Sequence, residues 1–368
     1  MPAARRRLNI MDKNISPSAL SLTRAELAGL VARLGGQAFR AKQIWQWQYK
    51  DLATGWEAMS NLPAALRANL AEAAADSEHT ARVVAKDGER GGTMKLLLKL
   101  ADGGTVETVL IPSQGRHTVC VSSQIGCAFR CAFCASGTEG LARSLDAGEI
   151  VAQVILAARE IGSRPDNVVF MGIGEPFANY DAALKAARLM NDPEGLGIGA
   201  RKITFSTCGV TPGISRFAEE PEQFELSVSL HAPNQMLREK LMPVAAGKWG
   251  LDELMKTCRD YTAKTNRIIT FEYTLVDGVN ANPSHCESLV KLLRGLKCRV
   301  NLIPLNPTSH FGGRAPSREI CEAFAEWLMR SGINTTLRRS KGGGVNASCG
   351  QLRANAKRPE TREPGSLR

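Results

Sequence analysis

Cys127-Ala128-Phe129-Arg130-Cys131-Ala132-Phe133-Cys134 puts three cysteines in eight residues, on a stretch bounded by Gly126 and Gly137. Three thiolates at this CxxxCxxC spacing can hold three corners of a 4Fe–4S cube and leave the fourth iron open to a ligand. Structural zinc is the competing reading. It takes four ligands, commonly in paired CxxC or CxxC/HxxxH spacings, and no fourth Cys or His stands close by. Plain buried thiols are the remaining alternative, but three such residues rarely fall this close together.

Downstream of this loop the pattern alternates between helix and strand. Ala147 starts an apolar stripe that continues at 150, 151, 154, 155, 158 and 161, a helical period. Strands follow at 168–171, 202–205, 224–230, 268–276, 299–303 and 334–337. Between them lie helices at 180–190, from Asp252, at 284–295 and at 317–330, with a short one after Ser206. Strands alternating with helices imply a parallel sheet. About six βα units predict an incomplete barrel rather than the eight-stranded one. The strand ends carry Gly172-Ile173-Gly174-Glu175-Pro176, Ser206, His231-Ala232-Pro233 and Pro304-Leu305-Asn306-Pro307. Parallel α/β folds build their sites at that C-terminal edge. Taken alone, Gly174-Glu175-Pro176 is an ordinary turn, and His231 is as well suited to a structural hydrogen bond as to a ligand.

Upstream, residues 1–22 show no period and read as a loose basic leader. Thr23 with Glu26 forms a capping box before the stripe Leu27, Leu30, Val31, Leu34, and Gly35-Gly36 ends it. A second helix carries Phe39, Arg40, Lys42, Trp45, Trp47 and Tyr49. Its aromatics suit the core of a small bundle (23–78), with basic residues left outside for nucleic acid. Short apolar runs at 94–100 and 105–111 flank Asp102-Gly103-Gly104 and predict a hairpin within an extension over 79–118. Glu107 stands out inside Val106-Glu107-Thr108-Val109: it belongs either on a wet face or in a site. The barrel is expected over 119–340. Near the far end, Arg338-Arg339-Ser340-Lys341-Gly342-Gly343-Gly344 precedes Cys349, on a loop at 341–353; a thiol on a cationic Gly-rich segment is expected to have a lowered pKa. The polar tail, 354–368, is expected to be disordered.

Composition narrows the partners. The chain of 368 residues is 43% apolar, enough for one large domain with appendages. Its ten cysteines come without a secretory h-region after Met1-Pro-Ala-Ala-Arg-Arg-Arg. The reading is therefore a cytoplasmic protein whose thiols bind metal or do chemistry, not a disulfide scaffold. No apolar run approaches a membrane span. A net charge of +11 points to a polyanionic partner such as nucleic acid.

Several stretches together carry a resemblance. They are Phe39-Arg40-Ala41-Lys42-Gln43-Ile44, Val106-Glu107-Thr108-Val109, Cys120-Val121-Ser122-Ser123-Gln124, the CxxxCxxC loop, Met171 to Pro176, Ser229-Leu230-His231-Ala232-Pro233, Asn301 to Pro307, and Ala347-Ser348-Cys349-Gly350-Gln351-Leu352. The chain resembles the radical S-adenosylmethionine (SAM) superfamily. More narrowly it resembles the RlmN/Cfr family of RNA adenine methyltransferases, on the branch that methylates adenine C2. The match runs from about Arg24 to Leu352. Two departures are Cys208, where a serine or other small residue is expected, and the extra glycines at 342–344.

The resemblance implies an α/β fold, a partial (βα)6 radical SAM barrel with a small N-terminal helical domain and a short β-hairpin extension. It implies that Cys127, Cys131 and Cys134 hold a 4Fe–4S cluster whose open iron is chelated by SAM. Gly174, Glu175, Ser206, Ser229, Leu230, His231 and Asn306 match the SAM contacts. Cys349 matches the cysteine that is itself methylated, Cys120 its disulfide-forming partner, and Glu107 the proton acceptor. In the family's scheme one SAM methylates Cys349, and a second yields a 5′-deoxyadenosyl radical that takes hydrogen from the S-methyl group. The methylene radical adds to the adenine carbon, and Cys120 releases the product. The implied substrates are an adenosine in the peptidyl-transferase centre of 23S rRNA and the adenosine 3′ of the anticodon in certain tRNAs. A reducing donor such as flavodoxin and a monomeric enzyme complete the expectation. The rivals are Cfr-type methylation at C8, another radical SAM reaction, and a non-catalytic, metal-stabilised RNA-binding protein.

Overall fold

The computed structural model describes residues 17–89, 91–338 and 348–352. Twelve strands are present among them: β1 (Ala81–Gly88), β2 (Met94–Leu100), β3 (Thr105–Ser113), β4 (Arg116–Cys120), β5 (Gln124–Gly126), β6 (Leu141–Ser144), β7 (Asn167–Phe170), β8 (Ile203–Thr207), β9 (Glu225–Ser229), β10 (Ile269–Leu275), β11 (Cys298–Pro304) and β12 (Asn334–Leu337). Ten form one sheet in the order β1-β2-β3-β4-β7-β8-β9-β10-β11-β12. From β4 onward every pairing is parallel, whereas β1 to β4 pair antiparallel. Six βα units thus end on a seventh parallel strand. The sheet stays open, with β1 and β12 at its edges. The expected hairpin extension is a meander continuous with the barrel wall, because β3 bonds directly to β4 over Val109↔Cys120 to Ser113↔Arg116.

The helices form where the apolar period requires. Ala147–Ile161 starts on a capping box in which Asp146 accepts from the Glu149 amide at 2.8 Å and Glu149 from the Asp146 amide at 2.9 Å. It stops at Gly162, whose φ of 77° is the left-handed conformation glycine adopts without strain. Ala147 to Ala158 are all buried, since this helix lies between the sheet and the N-terminal bundle. The two polar side chains inside this buried stretch are paired, Glu149 with Arg143 and Gln153 with the Ser122 carbonyl.

The N-terminal bundle comprises Arg24–Arg33, Phe39–Tyr49, Ala64–Ala73 and Ser77–Thr80. Trp45, Tyr49 and Trp56 fill its core, as the core reading of the aromatics expected. Phe39 is half exposed, with the Arg40 guanidinium 4.6 Å above its ring. One expectation fails here. Residues 17–22 are not a loose leader: Ala19–Ser21 form a 3-10 turn, Leu20 is fully buried, and Ser21 Oγ accepts from the Gly148 amide at 2.8 Å. Two apolar residues and two serines are too short a segment to show a period, so tertiary contact alone orders them. Residues 1–16, the Gly-rich stretch 339–347 and the tail 354–368 lie outside the described residues.

Candidate active site

The cysteine loop begins where β4 ends. β5 and β6 form a two-stranded ribbon whose base is closed by the Cys127 amide donating to Gly140 at 2.9 Å. Gly126 makes this possible: its φ is +74°, and a Cβ there would lie 1.9 Å from the Gly140 oxygen. Gly126→Ala is therefore expected to cost at least ~1–3 kcal/mol and to displace the loop. Urea melts and iron uptake measure this, and an alanine variant with unchanged midpoint and iron content would contradict it. Further along, the Ala132 amide donates to Leu241 at 2.9 Å, Phe129 stacks on Trp249, and Phe133 meets His231 edge-on with ring centroids 4.9 Å apart.

Cys127, Cys131 and Cys134 line one cavity together with Gly174, Glu175, Ser206, Ser229, His231, Asn306 and Cys349. Its empty space, about 960 Å³ in all, includes the part open to solvent at the mouth. Among the described residues, no three Cys, His, Asp or Glu side chains converge on a single metal ion. A 4Fe–4S cluster asks each thiolate to bind a separate corner, and three thiols spread around one roomy cavity fit that demand. Burial pushes the Cys131 thiol well above its ordinary value, and the neighbouring Cys134 and Cys127 add to the effect.

The other side chains are set by backbone contacts. The Glu175 carboxylate accepts from the Cys208 amide at 2.7 Å and the Phe177 amide at 2.9 Å, while its own amide donates to Gln124 Oε1 at 2.9 Å. Burial raises its pKa against these bonds. Gly174, at φ +103°, lies so close to Gln124 that a Cβ would be 2.6 Å from the Gln124 Cβ. His231 Nδ1 accepts from the Thr274 amide at 2.9 Å, so the neutral ring carries its proton on Nε2. Leu230 is fully buried outside the cavity lining, and its amide is taken by the Glu272 carbonyl at 3.0 Å.

Burial, with a smaller contribution from Arg238, lowers the His231 pKa from 6.5 to about 3. Between those values the unfolded chain binds a proton that the folded chain does not. Stability is therefore complete above pH 6.5 and falls as the pH drops toward 3, by up to ~1.4 kcal/mol per unit. Urea melts of the apoprotein at pH 7.5 and 5.5 should show a smaller loss for His231→Gln than for the wild type, by about 1 kcal/mol. Equal losses would contradict the assignment.

Cys349 enters the same cavity from the far end of the chain. The Ala135 amide donates to the Gly350 carbonyl at 2.7 Å, and Ser136 Oγ to the Leu352 carbonyl at 2.9 Å. Asn306 Nδ2 donates to the Cys349 carbonyl at 3.1 Å, and Gln351 Nε2 to the Pro307 carbonyl at 2.9 Å. The segment is thus bonded to the cysteine loop itself. A second cavity, lined by Cys120, Arg338, Ser348 and Leu352, shares Met171, Ile303, Asn306 and Cys349 with the first. Cys120 packs with Val109, Ile173 and Leu352, and its thiol is pushed up to about 12 by burial and then by Cys349. Both thiols are free.

Two expectations change in this region. The exposed surface of Cys349 faces the two cavities, and the enclosing protein raises its thiol pKa instead of lowering it. Arg338, whose Nη1 is 3.8 Å from Cys349 Sγ, pulls the other way but does not prevail. Glu107 is buried on the β3 face shared with Val109 and Ile111, near Cys120, yet lines neither cavity; Lys95 Nζ is 3.1 Å from its Oε1. Arg338 and Glu272 are the residues for which the sequence reading assigned no role. Glu272 is a carboxylate inside the apolar strand β10, the same signal that singled out Glu107.

Residues 121–292 match the model of the radical SAM superfamily, and residues 19–75 that of the ribosomal RNA large subunit methyltransferase N-terminal domain. A probable dual-specificity RNA methyltransferase RlmN of Symbiobacterium thermophilum is 47% identical over 340 residues, covering 90% of each chain. The chain belongs to the RlmN family. The RlmN of Nitratidesulfovibrio vulgaris, a dual-specificity RNA methyltransferase, is 43% identical over 94% of this chain and 98% of its own. Among solved structures, a radical SAM methyltransferase from Sphaerobacter thermophilus is 46% identical and superposes with a TM-score of 0.89, over 92% of this chain and all of that one. Like other RlmN-family enzymes, this one is a radical SAM methyltransferase that works with a 4Fe–4S cluster and SAM, two SAM per turnover.

Proposed function

We propose that this enzyme methylates C2 of an adenosine in the peptidyl-transferase centre of 23S rRNA and of the adenosine 3′ of the anticodon in certain tRNAs, through an S-methyl group on Cys349. The observation that carries the reading is the bonding of the Cys349 segment to the cysteine loop, with Cys120 on the adjoining cavity. A cluster-binding protein that only docks on RNA needs neither outlying thiol.

On this reading Cys127, Cys131 and Cys134 hold the cluster, which when bound supplies the electron that cleaves SAM to a 5′-deoxyadenosyl radical. Glu175 and Gly174, with Ser206, Ser229, His231 and Asn306, orient SAM in the cavity; Leu230 acts through its backbone. Adenine C2 is electron-poor and does not attack a methyl cation equivalent, so the methyl group must first be held on sulfur. Arg338 beside Sγ favours the Cys349 thiolate that accepts it by displacement. Glu107, whose carboxylate lies 3.1 Å from Lys95 Nζ, takes the ring proton as the adduct radical gives up one electron, which the cluster would accept. The Cys120 sulfur then attacks the Cys349 sulfur and breaks its bond to the methylene carbon, which takes a proton to become the methyl group. An outside reductant reopens the Cys120–Cys349 disulfide.

The target base leaves its stack to enter the barrel mouth, as single-stranded or unstackable bases can. The +11 charge favours RNA and makes affinity salt-sensitive. The enzyme is proposed to act as a cytoplasmic monomer fed by a flavodoxin-type donor; among the described residues no helix is long and apolar enough to cross a membrane. Mass spectrometry of nucleosides from rRNA and tRNA treated with enzyme, SAM and reductant tests the proposal. It expects 2-methyladenosine in both RNAs. 8-Methyladenosine, or no methylated adenosine with cluster-loaded enzyme, would overturn it.

A further inference from the structure

Arg238, in the helix Gln235–Leu241, has no exposed surface at all. A guanidinium keeps its charge in proteins, and a buried charge is costly unless it is paired. Among the described residues no carboxylate pairs with it. Nη2 donates to the Cys208 carbonyl at 2.7 Å, Nη1 to the Trp249 carbonyl at 3.3 Å, and Nε has no partner. The ionisable groups near it are the thiols of Cys208, Cys131 and Cys258 and the imidazole of His231, none of them a carboxylate. Neutral thiols do not balance a cation, so among the described residues this charge has no counter-ion.

The surroundings tie Arg238 to the cysteine loop. Leu241, at the end of the same helix, accepts from the Ala132 amide at 2.9 Å, next to Cys131. The packing around the guanidinium is tight: a Cβ on Gly209 would come within 2.8 Å of Nη2 and 3.2 Å of Leu254. Arg238 lines neither cavity. Its charge acts through the protein wall, where the low dielectric makes it strong.

We propose that Arg238 is the fixed counter-cation of the iron–sulfur cluster, a positioning residue that favours the reduced state. The inference rests on the assignment of the cluster to Cys127, Cys131 and Cys134. Cysteine ligation gives the cluster net negative charge, and the electron taken from the donor adds another. A buried cation stabilises the reduced form more than the oxidised one and raises the reduction potential. The competing role is purely structural, as a donor to two carbonyls, and it would be indifferent to the redox state.

Arg238→Gln removes the charge and keeps hydrogen-bond donors, while Arg238→Lys keeps the charge. Each is compared with the wild type as apoprotein and after reconstitution with iron and sulfide. The readouts are iron content, thermal midpoint and the potential at which the reduced-cluster EPR signal reaches half height. With Arg238→Gln, the ratio of reduced to oxidised cluster at a fixed solution potential should fall about tenfold, a shift of about 59 mV to more negative potential. Its gain in thermal midpoint on loading should be smaller than the wild type's, and Arg238→Lys should stay close to the wild type in both. The inference is overturned by an unchanged potential in Arg238→Gln, by an equal shift in Arg238→Lys, or by failure of Arg238→Gln to fold when loaded. A wild-type protein that takes up no iron would instead overturn the cluster assignment beneath it.

Discussion

Cys349→Ala is expected to abolish RNA methylation while SAM cleavage continues at a reduced rate. Cys349 is the one thiol that both shares the cavity of the cysteine loop and faces Cys120 across the adjoining one. Alanine leaves no sulfur to carry the methyl group, and no other described cysteine lines both cavities. Loss of a nucleophile without a substitute costs on the order of a million-fold, so product should drop below detection. The cysteine loop, Glu175 and His231 stay in place, so the cleaved product 5′-deoxyadenosine should still form. Chromatography of the reaction checks both quantities in one sample, and methylated adenosine at the wild-type rate would rule out the sulfur relay.

Cys120→Ala is expected to stop the reaction after the carbon–carbon bond has formed, leaving the RNA attached to Cys349. Burial and the nearby Cys349 keep the Cys120 thiol protonated at neutral pH. Without it, each enzyme molecule should turn over at most once and carry one RNA. A denaturing gel should show a slow band that ribonuclease collapses to a small remnant on the protein. Full multiple turnover with no such band would remove Cys120 from the chemistry.

Much of the architecture is written in local pattern. The stripe at 147–161, the capping residues Thr23 and Asp146 and the turn at 102–104 each commit a segment through its own residues. The polar strand ends gather at one cavity because parallel strands present the same edge. The roles of Cys349, Cys120 and Glu107 were legible only through resemblance, since nothing near them in sequence links residues 229 apart. What stayed hidden depends on three-dimensional packing. Arg238 reads as one charge in the surface-like run Arg238-Glu239-Lys240, yet the fold seals it inside. The Cys349 thiol looked activated because its sequence neighbours are basic, but enclosure in the barrel mouth outweighs Arg338. Residues 17–22 looked unstructured because two buried side chains make no period.

The central claim is that the methyl group travels through Cys349 and loses a hydrogen on the way. It is tested most directly with SAM carrying a trideuterated methyl group. The relay requires one deuterium to be removed while the group is on sulfur and replaced later by a proton. The account predicts 2-methyladenosine with two deuteria and 5′-deoxyadenosine with one. A product methyl that keeps all three deuteria would mean direct transfer from SAM, and the role of Cys349 would fall.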